Sequence, residues 1–178
     1  DVARATDERT AIATVLPPRT FSGHTIWVAF ADGLSTNLYF VGYLNSYCID
    51  WLLRFKVGLH MTQTIMKSLP MPRLTAGNPY FDAIVPRAAR LTCTRAAFAD
   101  LWREVMGEDW DESKGATDPG ERQRLRDEID ALVAHLYGLS RLEFNHILGT
   151  FPLVFPDTDA GRARREAVLA AYDGVAER

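Results

Sequence analysis

Arg54, Lys56, His60, Thr62, Gln63, Thr64 and Lys67 fall within fourteen residues of one another, and that mixture suits nucleic-acid recognition. Lys and Arg grip phosphate, which sets position without carrying sequence information, whereas Gln, Arg, Thr and His can address base edges in a groove. A thinner set, Arg4, Arg9, Thr10 and Arg19, flanks a β-branched run and could add contacts of the same kind. The plainer alternatives are a polar helix end with its loop for the first set and a solvated sheet edge for the second.

Other chemistry is poorly supported. Asn78-Pro79-Tyr80-Phe81 invites comparison with the Asn-Pro-Pro-Tyr/Phe motif of adenine methyltransferases, which holds a flipped base. Its second proline is missing, no Gly-rich cofactor loop precedes it, and a helix start explains the residues. Glu112-Ser113-Lys114, with Asp109 and Asp111, superficially matches a nuclease metal cluster, yet it lies in a turn-rich stretch without strands to hold it. His24, His60, His135 and His146 show no zinc-ligand spacing. No Gly-x-Ser-x-Gly elbow or phosphate loop is present, so neither catalytic nor metal residues are assigned.

The elements that must position these residues are those of a soluble globular chain. The 178 residues, 47% hydrophobic and 24% charged, suffice for one ordinary domain or two small ones. A net charge of −3 and a pI of about 5.8 argue against a generic polyanion binder. The charge is unevenly placed: residues 1–75 carry net +2 and residues 76–178 net −5. Any nucleic-acid surface therefore belongs to the first part. Cys48 and Cys93 sit in apolar helical patterns and read as buried thiols of a reducing compartment. Twenty residues, 34–53, hold only one charge, Asp50, but Asn37, Asn45, Ser46 and Asp50 would lack partners in lipid, so a buried core helix is expected instead of a membrane span. The chain opens at Asp1 without an initiator Met or signal core and reads as a piece of something longer.

Two β-branched or aromatic runs, 11–16 and 25–30, each stopped by turn residues, predict strands. One helix is expected over 35–55, capped by Ser35 or Thr36 and apolar nearly all round, with Asp50 and Arg54 paired on its remaining polar edge. Helices follow at about 79–91, from a Thr94 cap to Gly107, from Asp118-Pro119 to Gly138, and at about 159–175. Between Gly138 and Gly149, Ser140-Arg141-Leu142-Glu143 forms a capping box. Arg126 and Asp130 are expected to pair outside the fourth of these helices, and 108–120 to be an exposed, mobile acidic loop.

Several motifs in order carry a family likeness. Arg4-Ala5-Thr6-Asp7-Glu8-Arg9-Thr10 precedes Leu16-Pro17, then come Leu44-Asn45-Ser46, Lys56-Val57-Gly58 and Leu69-Pro70-Met71-Pro72. The tail continues with 128–140, Ile147-Leu148-Gly149-Thr150-Phe151-Pro152 and Ala171-Tyr172-Asp173. Together these resemble the C-terminal target-recognition (specificity) region of type IIG-like restriction-modification adenine-specific DNA methyltransferases, including relatives in phage-defence systems. That family often shows two glycines and a polar residue after the Lys-Val-Gly position, where Leu59 intrudes in this chain. The resemblance implies a parent enzyme that uses S-adenosylmethionine and has possible restriction endonuclease activity. The parent's methyltransferase domain would lie upstream, and its catalytic motifs have no matching positions in this chain.

The resulting expectation is an α+β, mostly α, fold: a small partial sheet at the N-terminal end, then a helical C-terminal region. Residues 1–75 would end a DNA target-recognition domain, and residues 76–178 would form the helical part. The function expected is DNA sequence recognition, positioning double-stranded DNA for the methyltransferase domain, in a bacterial cytoplasm and with no membrane partner. No cofactor is expected in this chain itself. A helical protein-protein interaction module is the alternative.

Overall fold

Short-range capping sets most helix boundaries. In the computed structural model, which describes residues 6–23, 26–29, 31–58 and 60–176, Asn78 accepts from the backbone N–H groups of Tyr80 and Phe81 and opens a helix with Pro79 in its first turn. Asp118 caps the long helix in the same way, again with proline just inside. That helix ends in a Schellman arrangement, with Gly138 at φ 65° and the Leu139 N–H bonded to the Ala134 carbonyl. Ser140 and Glu143 then form the reciprocal capping box.

The helices are α1 (Leu34–Leu44), α2 (Tyr47–Arg54), α3 (Gln63–Lys67), α4 (Pro79–Thr92), α5 (Ala99–Met106), α6 (Pro119–Leu136), α7 (Arg141–Gly149) and α8 (Asp159–Ala176). A 3-10 turn, Ala96–Phe98, leads into α5, so Thr94 is not its cap. α6 is the hub, packed against α8, α4, α1 and α2. Around it Tyr39, Tyr43, Ile49, Leu53, Ile84, Val133, Phe144, Leu148, Phe151, Val168 and Leu169 are fully buried. Elements from both halves of the chain share this core. Gly42 lets α1 approach α4, because a Cβ there would meet the Ile84 side chain at 2.8 Å.

The expected α+β class is overturned: the described residues form an all-helical structure with no sheet. The run 11–16 forms no strand and, among the described residues, has none beside it. Its partner is a side chain. The Ala13 N–H donates to Asn45 Oδ1 at 3.0 Å, and Asn45 Nδ2 donates to the Ala13 carbonyl at 2.8 Å, the reciprocal pair that a strand residue would otherwise supply. Of the second run, Thr25 and Phe30 lie outside the described residues, and 26–29 is irregular and exposed.

The single helix expected over 35–55 is two. Asn45 Nδ2 also turns back to the Val41 carbonyl at 2.9 Å, and Ser46 Oγ accepts from the Ile49 N–H while donating to the Tyr43 carbonyl. These short polar side chains compete for backbone groups and end one helix while starting the next. The acidic stretch 108–120 is folded, not loose: Trp110 Nε1 donates to the Cys93 carbonyl at 2.7 Å and the Ala116 N–H to the Arg90 carbonyl at 2.8 Å. Gly115 is pressed against the backbone of Cys93 and Thr94 with no room for a side chain. Among the described residues, no helix is long and apolar enough to cross a membrane.

Candidate nucleic-acid interface

Two of the candidate cations are consumed inside the fold. Asp50 is fully buried, and its carboxylate receives Arg54 Nε at 3.1 Å, Arg9 Nε at 3.3 Å and the Thr10 N–H at 2.9 Å. A buried carboxylate is tolerable only when so compensated. Arg54 goes on to bond the carbonyls of Asp7 and Glu8, and its guanidinium lies 4.0 Å from the Phe151 ring centroid. Arg9 bonds the Asn45 carbonyl and stacks over Tyr47 at 4.3 Å. Thr10 is buried. Arg9, Thr10 and Arg54 thus clamp the extended N-terminal segment onto α2, and the Asp50–Arg54 pair sits in the interior instead of on a polar edge.

The remaining members of the first set gather at the corner between α2 and α3. Lys56, His60, Thr62, Gln63, Thr64 and Lys67 are exposed. Lys56 Nζ donates to Ser68 Oγ at 3.1 Å, and Ser68, the C-cap of α3, donates in turn to the Ile65 carbonyl. That contact ties the chain just past α2 to the C-cap of α3, whose last residue is Lys67. Thr62 caps α3 by accepting from the Ile65 N–H at 3.2 Å, which uses one acceptor position of its hydroxyl. Arg19 is exposed in a left-handed backbone conformation, φ 63°, after Pro17-Pro18, and no contact among the described residues joins it to the corner. Arg4 lies outside the described residues.

The corner is braced from beneath. Ile65 and Met66 of α3, with Met61, Leu69 and Met71 around it, lie against the core. Tyrosines hold the exit from α3: Tyr39 Oη donates to the Pro72 carbonyl at 3.1 Å and Tyr137 Oη to the Pro70 carbonyl at 2.9 Å, while Tyr43 and Tyr137 share a 2.7 Å hydroxyl contact. Burial raises all three phenols, Tyr39 to about 12, so they stay protonated as donors. The sequence marks the proline exit, but nothing in it points to these long-range tyrosines.

Asp130 is a second unforeseen polar residue. It faces inward on α6, away from the expected surface pairing with Arg126, and accepts from the Tyr47 N–H at 2.7 Å at the start of α2. Burial pushes its carboxyl up to about 7, against the lowering effects of Arg9, that N–H and Arg164. Its neighbour Asp127 takes both terminal nitrogens of Arg164. A signal was available: Asp127, Asp130, Ala131 and Ala134 recur at helical spacing and mark a second buried face of α6.

The weaker candidates dissolve into structural roles. Asn78 and Pro79 are a helix start, as above. Lys114 Nζ bonds Glu108 at 2.8 Å and Asp111 folds back onto Ser113. Among the described residues, no group of three His, Cys, Asp or Glu could hold a metal. Cys48 and Cys93 are free and buried, and burial raises both thiols, Cys93 to about 11, far from a reactive thiolate. Comparison of the chain with family models, curated proteins and solved structures finds no match in any of the three.

Proposed function

We propose that this chain is a DNA-recognition region that positions duplex DNA for an S-adenosylmethionine-dependent adenine methyltransferase domain outside it, in a bacterial cytoplasmic restriction-modification or phage-defence enzyme. The observation that carries the reading is the α2–α3 corner, where Lys56, His60, Gln63 and Lys67 are exposed together on a support fixed by buried contacts. The lysines suit phosphates, while Gln63 and His60 suit base edges. Arg9, Thr10 and Arg54 serve as the frame behind that surface. The ordered motifs that resemble type IIG-like specificity regions support this choice of parent. The test is the double substitution Lys56→Ala with Gln63→Ala in the full-length enzyme. Site-specific methylation should fall while cofactor binding is unchanged, and methylation at the wild-type level would reject the reading.

One observation favours a protein-interaction module instead. Ile12, Phe21, Ile26, Trp27 and Val28 are all exposed along the N-terminal segment, more apolar surface than a short stretch usually shows to water. Salt separates the two readings. Phosphate binding weakens steeply from low to moderate ionic strength, whereas an apolar contact responds little.

A further inference from the structure

We infer that Phe55 is a wedge that enters the base stack of duplex DNA held at the α2–α3 corner. This rests on the DNA-recognition reading above and adds to it a residue that none of the polar candidates includes. Phe55 is 73% exposed, although Leu53 and Val57 on either side of the Phe55–Lys56 pair are buried. The chain is therefore anchored before and after a two-residue protrusion made of one ring and one cation. The ring is also braced. It meets Trp51, one helical turn earlier, edge to face at 4.9 Å and 83°, and Trp51 itself lies against the core. Phe21 is still more exposed, but it stands on irregular chain and makes no ring contact among the described residues.

Charge decides what such a ring meets. Lys56 adjoins it in sequence, and the Lys56–Ser68 bond draws in the end of α3 with Lys67. An apolar pocket on a partner protein would have to accept the ammonium group of the residue that follows the ring. A duplex supplies a phosphate for it, and its base steps admit apolar wedges at the cost of partial unstacking. That cost is lowest where the stack is already weak, as at a mismatch.

The experiment uses this chain with two short fluorescein-labelled duplexes, one fully matched and one with a central T·T mismatch, read by anisotropy at low salt. Wild type should prefer the mismatched duplex by about threefold or more. Phe55→Ala should abolish that preference and weaken binding to the mismatched duplex roughly tenfold, in line with the loss of base–aromatic stacking. Phe55→Trp should retain the preference, which separates ring stacking from a folding defect. Lys56→Ala with Lys67→Ala should weaken both duplexes alike. If that double variant weakens binding while Phe55→Ala binds both duplexes as wild type does, the wedge is overturned and the DNA reading stands. If wild type binds neither duplex, or binds both with no response to salt or to the lysine substitutions, both fall, as they would for a ring that docks on protein.

Discussion

Arg54 and Lys56 are two residues apart, similar in charge, and opposite in fate. Arg54 lies over Phe151 and against a buried carboxylate, whereas Lys56 is exposed and donates to the Ser68 hydroxyl. The difference lies in what each position faces. Position 54 is one turn after Asp50, so the guanidinium can reach it along α2, and its planar fork has donors left for the carbonyls of Asp7 and Glu8. Position 56 is past the helix end, and its side chain is exposed. A cluster of cations in a sequence is therefore two populations, one that builds the fold and one free to meet a ligand, and a buried acid is what sorts them.

The largest effect should come from removing that acid. Asp50→Ala leaves two guanidiniums part-buried and unpaired and should destabilise the fold by about 3–5 kcal/mol, read as a lower urea midpoint at unchanged slope. A loss under about 1 kcal/mol would mean that Arg9 and Arg54 behave as surface charges, and the contrast with Lys56 would fail. Asn45→Ala removes the amide that pairs with Ala13 and should cost about 1–3 kcal/mol, with early hydrogen exchange across 10–16.

Asp130 sharpens the comparison through pH. The folded protein keeps a proton on this carboxyl between its ordinary 3.8 and about 7, whereas the unfolded chain has already released it. Stability should fall as pH rises through that window, with the loss complete above about 7. Asp130→Asn keeps an acceptor for the Tyr47 N–H and should flatten this part of the thermal-stability profile. A slope unchanged from wild type would place the titration elsewhere. The smallest effect belongs to the exposed cations: Lys56→Ala with Lys67→Ala should shift stability by no more than about 0.5 kcal/mol while lowering the salt slope of DNA binding by about 2. Substantial unfolding would move these lysines into the structural population.

Much of the helical part was legible because its signals are local. Asn78, Asp118 and the Ser140–Glu143 box each bond backbone groups within three residues, and Gly138 closes α6 with a left-handed turn, so composition over a short window suffices. The N-terminal part was misread for the opposite reason. Residues 11–16 favour extended backbone, and extended backbone usually implies a sheet. Here the missing hydrogen bonds are supplied by Asn45 and Asp50, more than thirty residues away. The candidate site split on the same line. Exposure at the α2–α3 corner agreed with its polar composition, while the inward placement of Arg9, Thr10 and Arg54 depended on Asp50 lying in the interior.

Residue types alone determined where α4, α6, α7 and α8 begin and end, that two cysteines would be buried thiols, and that acidic residues would outnumber basic ones only after residue 75. Only the tertiary structure decided that an extended segment would pair with side chains instead of a strand, that Asp130 would face inward, and which basic residues would remain on the surface. The physical reason is range. A cap or turn is satisfied by atoms a few bonds along the chain, whereas the partner of a buried charge or an orphaned strand edge is chosen by how the helices pack, and neighbouring residues do not encode it.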